Sequence, residues 1–204
     1  ERFSTYLTWA EQDQARALEL YALNTRLSES LYVALQMLEV ALRNRIDAVM
    51  AEKYGQDWLL NGSALLIDRQ KHQREEATRE LERARKQASN GRLVAALPFS
   101  FWTSMFNSEY ETSWQQGLHK IGRKQDGKGL VRKDISKKLT PIRILRNRVA
   151  HHEPILYWNL PKHHENMLQQ CEWFSPEAAK WCREHCRFAE IYPESGITLG
   201  RPWA

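Results

Sequence analysis

Arg146 and His151 are the residues of this 204-residue chain whose types and spacing best suit acid–base chemistry at a phosphate. They stand in the segment Leu145-Arg146-Asn147-Arg148-Val149-Ala150-His151-His152-Glu153-Pro154, with four residues between Arg146 and His151 and five between Arg146 and His152. Imidazole titrates near neutrality and serves as base or acid, and the planar guanidinium fork matches a phosphate. Cleaving a phosphodiester by acid–base chemistry requires a base for the attacking oxygen, an acid for the leaving oxygen and a cation for the charged phosphorane. One chain offers one such set, and a two-fold dimer brings two together. On an ideal helix a five-residue step turns about 140°, so Arg146 and His151 do not share a face of a continuing helix. Pro154 stops the helix, because the residue before a proline avoids helical geometry, and leaves His151 and His152 at or just past its end. The competing reading makes the two histidines caps that complement the negative end of the helix dipole.

The element that must position this segment is a helix over 132–150, with Ile135, Leu139, Ile142, Leu145 and Val149 as its apolar face. A second long helix is expected upstream, since residues 1–54 contain neither glycine nor proline. From Leu20 to Val49 its apolar residues recur in steps of three and four, Asn24 and Thr25 weaken the stripe, and Gly55 ends it. Glu39 and Arg43 lie four apart and can pair on one face of that helix. On the surface such a pair matters little; buried beside a site, the two would position other groups. Asn61-Gly62-Ser63 marks a turn, residues 68–87 a charged helix, residues 93–106 a buried aromatic-rich helix bent or begun at Pro98, and residues 117–129 a loop. Two helical segments follow Pro161, the second opened by the cap Ser175-Pro176-Glu177, and the tail after Pro193 is irregular. No β-alternation and no repeat appear, so the expected fold is all-α: one domain with a core over about 13–160 and a helical extension over 161–204.

The charge is concentrated beside the same motif. Residues 120–148 carry eleven basic side chains against Asp126 and Asp134, so this stretch is +9 in a chain of net charge +5. A local excess of this kind is the footprint of a polyanion-binding surface, although a solvated helix face has the same composition. Lys133, Lys137, Lys138, Arg143 and Arg148 are the candidate RNA contacts.

At these residues the sequence resembles a known family. Leu-Arg-Asn-x-x-Ala-His-His is similar to the signature of the Abi-like (abortive-infection) proteins, a bacterial branch of the HEPN superfamily. Leu38-Glu39-Val40-Ala41-Leu42-Arg43-Asn44 resembles that family's N-terminal helix motif, Phe99-Ser100-Phe101-Trp102 closes its middle segment, and Tyr157-Trp158-Asn159 follows the histidines in the same order. Glu153-Pro154 stands where the family often has a small residue and an arginine. The resemblance implies a HEPN-like helical bundle that forms a homodimer with its Arg-x4–6-His motifs facing each other. It also implies metal-independent endoribonuclease activity, leaving a 2′,3′-cyclic phosphate, in phage defence or in a toxin–antitoxin system with a protein or RNA antitoxin. Carried over by position, Arg146 and His151 are catalytic and Asn147 is their polar companion; His152, Glu39 and Arg43 are accessory candidates.

Other chemistry is less well supported. Cys182-x2-His185-Cys186, with Cys171, His163 and His164 upstream, lacks the two close ligand pairs of a zinc site, so the expectation is buried cysteines and no metal or cofactor. No phosphate loop, dinucleotide fingerprint or nucleophile elbow is present. The three cysteines suit a reducing, cytoplasmic compartment, and no apolar run approaches the ~18 residues of a membrane span. The eight tryptophans are expected to anchor helix packing. Two further classes stay open: a non-catalytic helical module that binds RNA or a partner through the same basic surface, and a zinc-stabilised scaffold.

Overall fold

The computed structural model describes residues 2–61 and 65–200. The described residues fold into helices joined by turns and loops. In order they are α1 (Arg2–Trp9), α2 (Gln14–Tyr54), α3 (Trp58–Asn61), α4 (Asp68–Arg83), α5 (Asn90–Ala96), α6 (Phe99–Ser104), a 3-10 turn (Ser108–Tyr110), α7 (Glu111–Trp114), α8 (Leu118–Ile121), α9 (Arg132–Ala150), α10 (Leu160–Phe174), α11 (Pro176–His185) and α12 (Phe188–Ile191). Among the described residues the only β-type pairing is a single bridge between Arg123 and Gly129.

The 41-residue helix α2 is the spine. Asp13 caps it by accepting the Arg16 N–H, and the glycine expected to end it, Gly55, does so at φ +94. Its apolar stripe, from Leu20 through Leu27, Leu31, Leu38 and Leu42 to Ile46, is buried. Helices α1, α10, α11 and α12 pack against α2, while α9 packs on α6 and α10. The region after Pro161 is therefore central as well as terminal: α10 lies along the spine. Asn159 and Ser175 cap α10 and α11, each with a proline in the first turn behind it.

Four expectations about elements need correction. Residues 1–54 are not one helix; the chain breaks after Trp9, and Glu11 and Gln12 take left-handed geometry at φ +52 and +69. The charged helix ends at Arg83 rather than near Gln87, because Arg85 turns left-handed and returns the Lys86 N–H to the Leu81 carbonyl. Pro98 divides residues 93–106 into two helices and sits immediately before α6. The segment 117–129 holds α8 in addition to loop. Of the turn at residues 61–63, Asn61 closes α3, and Gly62 and Ser63 lie outside the described residues.

Tryptophan packing is as expected for most of the set. Trp58, Trp102 and Trp114 are fully buried, and Trp58 donates to Asp47 at 2.7 Å. Trp181 is exposed and stacks on His185. No helix among the described residues is long and apolar enough to cross a membrane.

Candidate functional site

The candidate site lies where the last two turns of α9 approach the middle of α2. On α2, Tyr32, Gln36, Glu39 and Arg43 recur at steps of four, three and four, so they share one face. With Leu35 and Val40 of α2 and Arg146, Val149 and Ala150 of α9, they enclose a cavity of about 310 Å³. Glu39 and Arg146 form an ion pair across it at 3.8 Å, their side chains 20% and 38% exposed. That separation exceeds the ~2.7–2.9 Å of a charge-assisted hydrogen bond. The Glu39 carboxylate is the ion partner that faces Arg146, and the buried Arg43 Nε has no hydrogen-bond partner among the described residues. Burial raises the Glu39 carboxyl above its ordinary range, and the two guanidiniums only partly offset this. The cavity thus presents two fixed cations against one reluctant anion, which is the polarity an incoming phosphate meets favourably.

The histidines sit outside that cavity. His151 caps α9, giving its N–H to the Asn147 carbonyl at 2.9 Å, and its side chain is exposed. His152 follows at φ +56 and donates its N–H to Val149, while Glu153 donates to Arg148 at 2.8 Å. This pair of bonds is the helix-ending motif that normally has glycine at its left-handed position. A histidine there carries strain of about 1 kcal/mol or more, and strain of this kind is concentrated at functional sites.

The turn is pinned from the far side by Asn24, which is 5% exposed. Its Oδ1 accepts the buried Ile155 N–H at 2.8 Å, and its Nδ2 approaches the Glu153 carbonyl at 3.5 Å. In the sequence Asn24 was visible only as a weak point in the apolar stripe. A polar residue one helical turn from both Leu20 and Leu27 is in fact the signal of a buried group with a partner to satisfy.

Within one chain, then, Arg146, Glu39 and Arg43 converge, whereas His151, His152 and Asn147 are displayed at the exposed end of α9. A family model described as Abi-like protein matches residues 4–159. The chain belongs to the Abi-like protein family. The match includes α9, the histidine turn and the facing stretch of α2, so both walls of the cavity of this Abi-like chain are family elements. No curated protein and no solved structure matches the chain significantly.

The basic cluster divides on inspection. Lys133 and Lys137 are exposed on one face of α9, with no ion partner among the described residues, and Arg143 is half-buried. Lys138 is engaged by Gln169 and lies 5.0 Å over the Trp173 ring, with its ammonium pKa lowered chiefly by burial. Arg148 pairs with Glu153 at 3.1 Å and rests over Tyr157 and Trp158. Arg132 is structural: 7% exposed, it donates from Nε to Glu111 at 2.5 Å and from Nη1 to the Phe106 carbonyl.

Cys171 and Cys182 are buried between helices, and burial pushes both thiols up to about 12. Cys186 is half-buried, with its Sγ 3.3 Å from His164 Nε2. Among the described residues no group of three or more His, Cys, Asp or Glu side chains is placed to hold a metal ion.

Proposed function

We propose that this Abi-like chain is a HEPN-type endoribonuclease that cleaves RNA without a metal and acts in abortive infection against phage, or as the toxin of a toxin–antitoxin pair. The observation that carries the proposal is the Arg146 guanidinium: set 3.8 Å from the Glu39 carboxylate, it lines a cavity with Glu39 and Arg43 five residues before an exposed, left-handed histidine turn. In this reading Arg146 binds the scissile phosphate and stabilises the phosphorane. His151 takes the proton of the 2′-OH, and its counterpart in a second copy protonates the leaving 5′-oxygen. Glu39 and Arg43 hold Arg146 in place, Asn147 accompanies the histidine, and Lys133, Lys137 and Arg143 bind the flanking strand. Because Arg146 and His151 occupy different sides of the end of α9, a two-fold pairing of these ends supplies each Arg with a His from the partner.

The test is incubation of the purified protein with single-stranded RNA in EDTA. Cleavage is expected, and Arg146→Ala and His151→Ala are each expected to reduce it by at least about 100-fold. Absence of cleavage, or cleavage that both variants retain, contradicts the proposal. RNA binding that weakens with salt but never leads to scission identifies the non-catalytic module instead. Light scattering reads the dimer directly.

A further inference from the structure

A second cavity, of about 700 Å³, is walled in part by the segment that follows the histidine turn. Its walls include Trp9, Tyr157, Trp158, Asn159, Tyr192 and Leu199. Its size is within the range of small-molecule sites, about 300–1,000 Å³. The chain builds it deliberately. The Gly200 N–H donates to the Trp9 carbonyl at 2.8 Å and Arg16 donates to the Thr198 carbonyl at 3.2 Å, which lays the C-terminal segment along α1 and the start of α2. A Cβ at position 200 would come within 2.7 Å of the Trp9 oxygen, so this approach needs glycine.

Three features say what the cavity takes. The Tyr157 ring is 50% exposed, although it is in contact with Trp9 at 6.0 Å and Trp158 at 6.2 Å between centroids. The Arg148 guanidinium lies 5.5 Å from the Tyr157 centroid and 5.9 Å from that of Trp158. The Asn159 side-chain oxygen accepts the Lys162 N–H of the α10 cap, which leaves its amide N–H2 as a donor at the rim. A half-exposed aromatic face backed by a guanidinium, with a polar donor at the rim, suits the stacking of an unpaired base.

The cavity is also mechanically tied to the histidines. Arg148, which rests over the Tyr157 and Trp158 rings, bonds to Glu153 through both backbone and side chain, and so ties these rings to the turn that displays His151 and His152. We propose that this aromatic cavity is a subsite for one unpaired nucleobase of the RNA strand, stacked on the exposed Tyr157 ring that Arg148 backs. This rests on the RNA reading above and adds to it a reason for single-strand preference.

The experiment measures binding by fluorescence anisotropy, using a short single-stranded RNA made wholly of 2′-O-methyl nucleotides so that it is not cut, and the same backbone with abasic positions. Wild type is expected to bind the base-bearing strand about tenfold tighter than the abasic one. Tyr157→Ala and Tyr157→Leu are expected to lose that tenfold, and Tyr157→Phe to keep it, with the salt dependence of binding unchanged in all three because no phosphate contact is removed. Tyr157→Phe guards against a folding artefact, since it fills the same space. If Tyr157→Ala and Tyr157→Leu bind the base-bearing strand as wild type does, or wild type binds both strands equally, the subsite is wrong while the RNA reading stands. If wild type binds neither strand, both fail together.

Discussion

Asn24 and Ile155 are 131 positions apart in the chain, and the side-chain oxygen of the first accepts the backbone N–H of the second at 2.8 Å inside the protein. This bond fastens the segment that follows the histidines to the spine helix. Asn24→Ala leaves the Ile155 N–H buried and unpaired, at an expected loss of about 1–3 kcal/mol. A urea titration reads the loss, and amide hydrogen exchange reads its location, with faster exchange at Ile155 than in the middle of α2. Unchanged exchange at Ile155 would show that the turn holds itself.

His152→Gly should make the protein more stable. Glycine occupies the left-handed position without the Cβ clash, which offsets its greater freedom in the unfolded chain by about 1 kcal/mol or less. The same variant should cut RNA more slowly, because it removes an imidazole from the turn. Thermal unfolding and an RNA-cleavage assay on one preparation separate the effects. A more stable and fully active variant would reduce His152 to a cap.

The long apolar stripe of α2 and its Gly55 stop were legible in the sequence, because each depends on local periodicity and one special residue. The same holds for α9 up to the cap at His151; that Glu39 faces Arg146 was not legible, because only tertiary packing brings the two together. The break after Trp9 was not legible: Glu11 and Gln12 adopt positive φ without glycine or asparagine, held by returns of backbone N–H groups to Leu7 and Thr8 and by the packing of α1 on α2. Nor was the division of the basic cluster, since charge counts do not distinguish the buried Arg132 from the exposed Lys137.

That division has a measurable consequence. Arg132→Met strips the Phe106 carbonyl and Glu111 of a donor and should cost about 1–3 kcal/mol of stability while leaving RNA affinity unchanged. Lys137→Glu should do the reverse, weakening RNA binding and flattening its dependence on salt with little change in unfolding. Equal effects of the two variants on affinity would mean that the positive surface acts as an undivided field.

Acid should loosen the α10 end of the bundle. His163, tilted against Trp158 at 5.0 Å, and His164, stacked on Phe188 at 4.5 Å, are both pushed below the ordinary histidine pKa of 6.5 by burial. The unfolded chain therefore takes up more protons below pH 6.5 than the folded one, so their contribution is intact above that value and is lost as pH falls through their folded values. Melting temperature measured across pH 6.5 should decline on the acid side, and less steeply in His164→Gln.

The central claim is that Arg146 and His151 direct the RNA's own 2′-OH against its phosphate, with no metal. The most direct measurement is the chemistry of the cut ends, made in EDTA on all-ribose RNA and on the same strand with 2′-O-methyl groups. Expected are 5′-hydroxyl and 2′,3′-cyclic phosphate ends from the ribose strand, no cutting of the methylated strand, and loss of both products in His151→Ala. Products with a 5′-phosphate, or scission of the methylated strand, would contradict the claim.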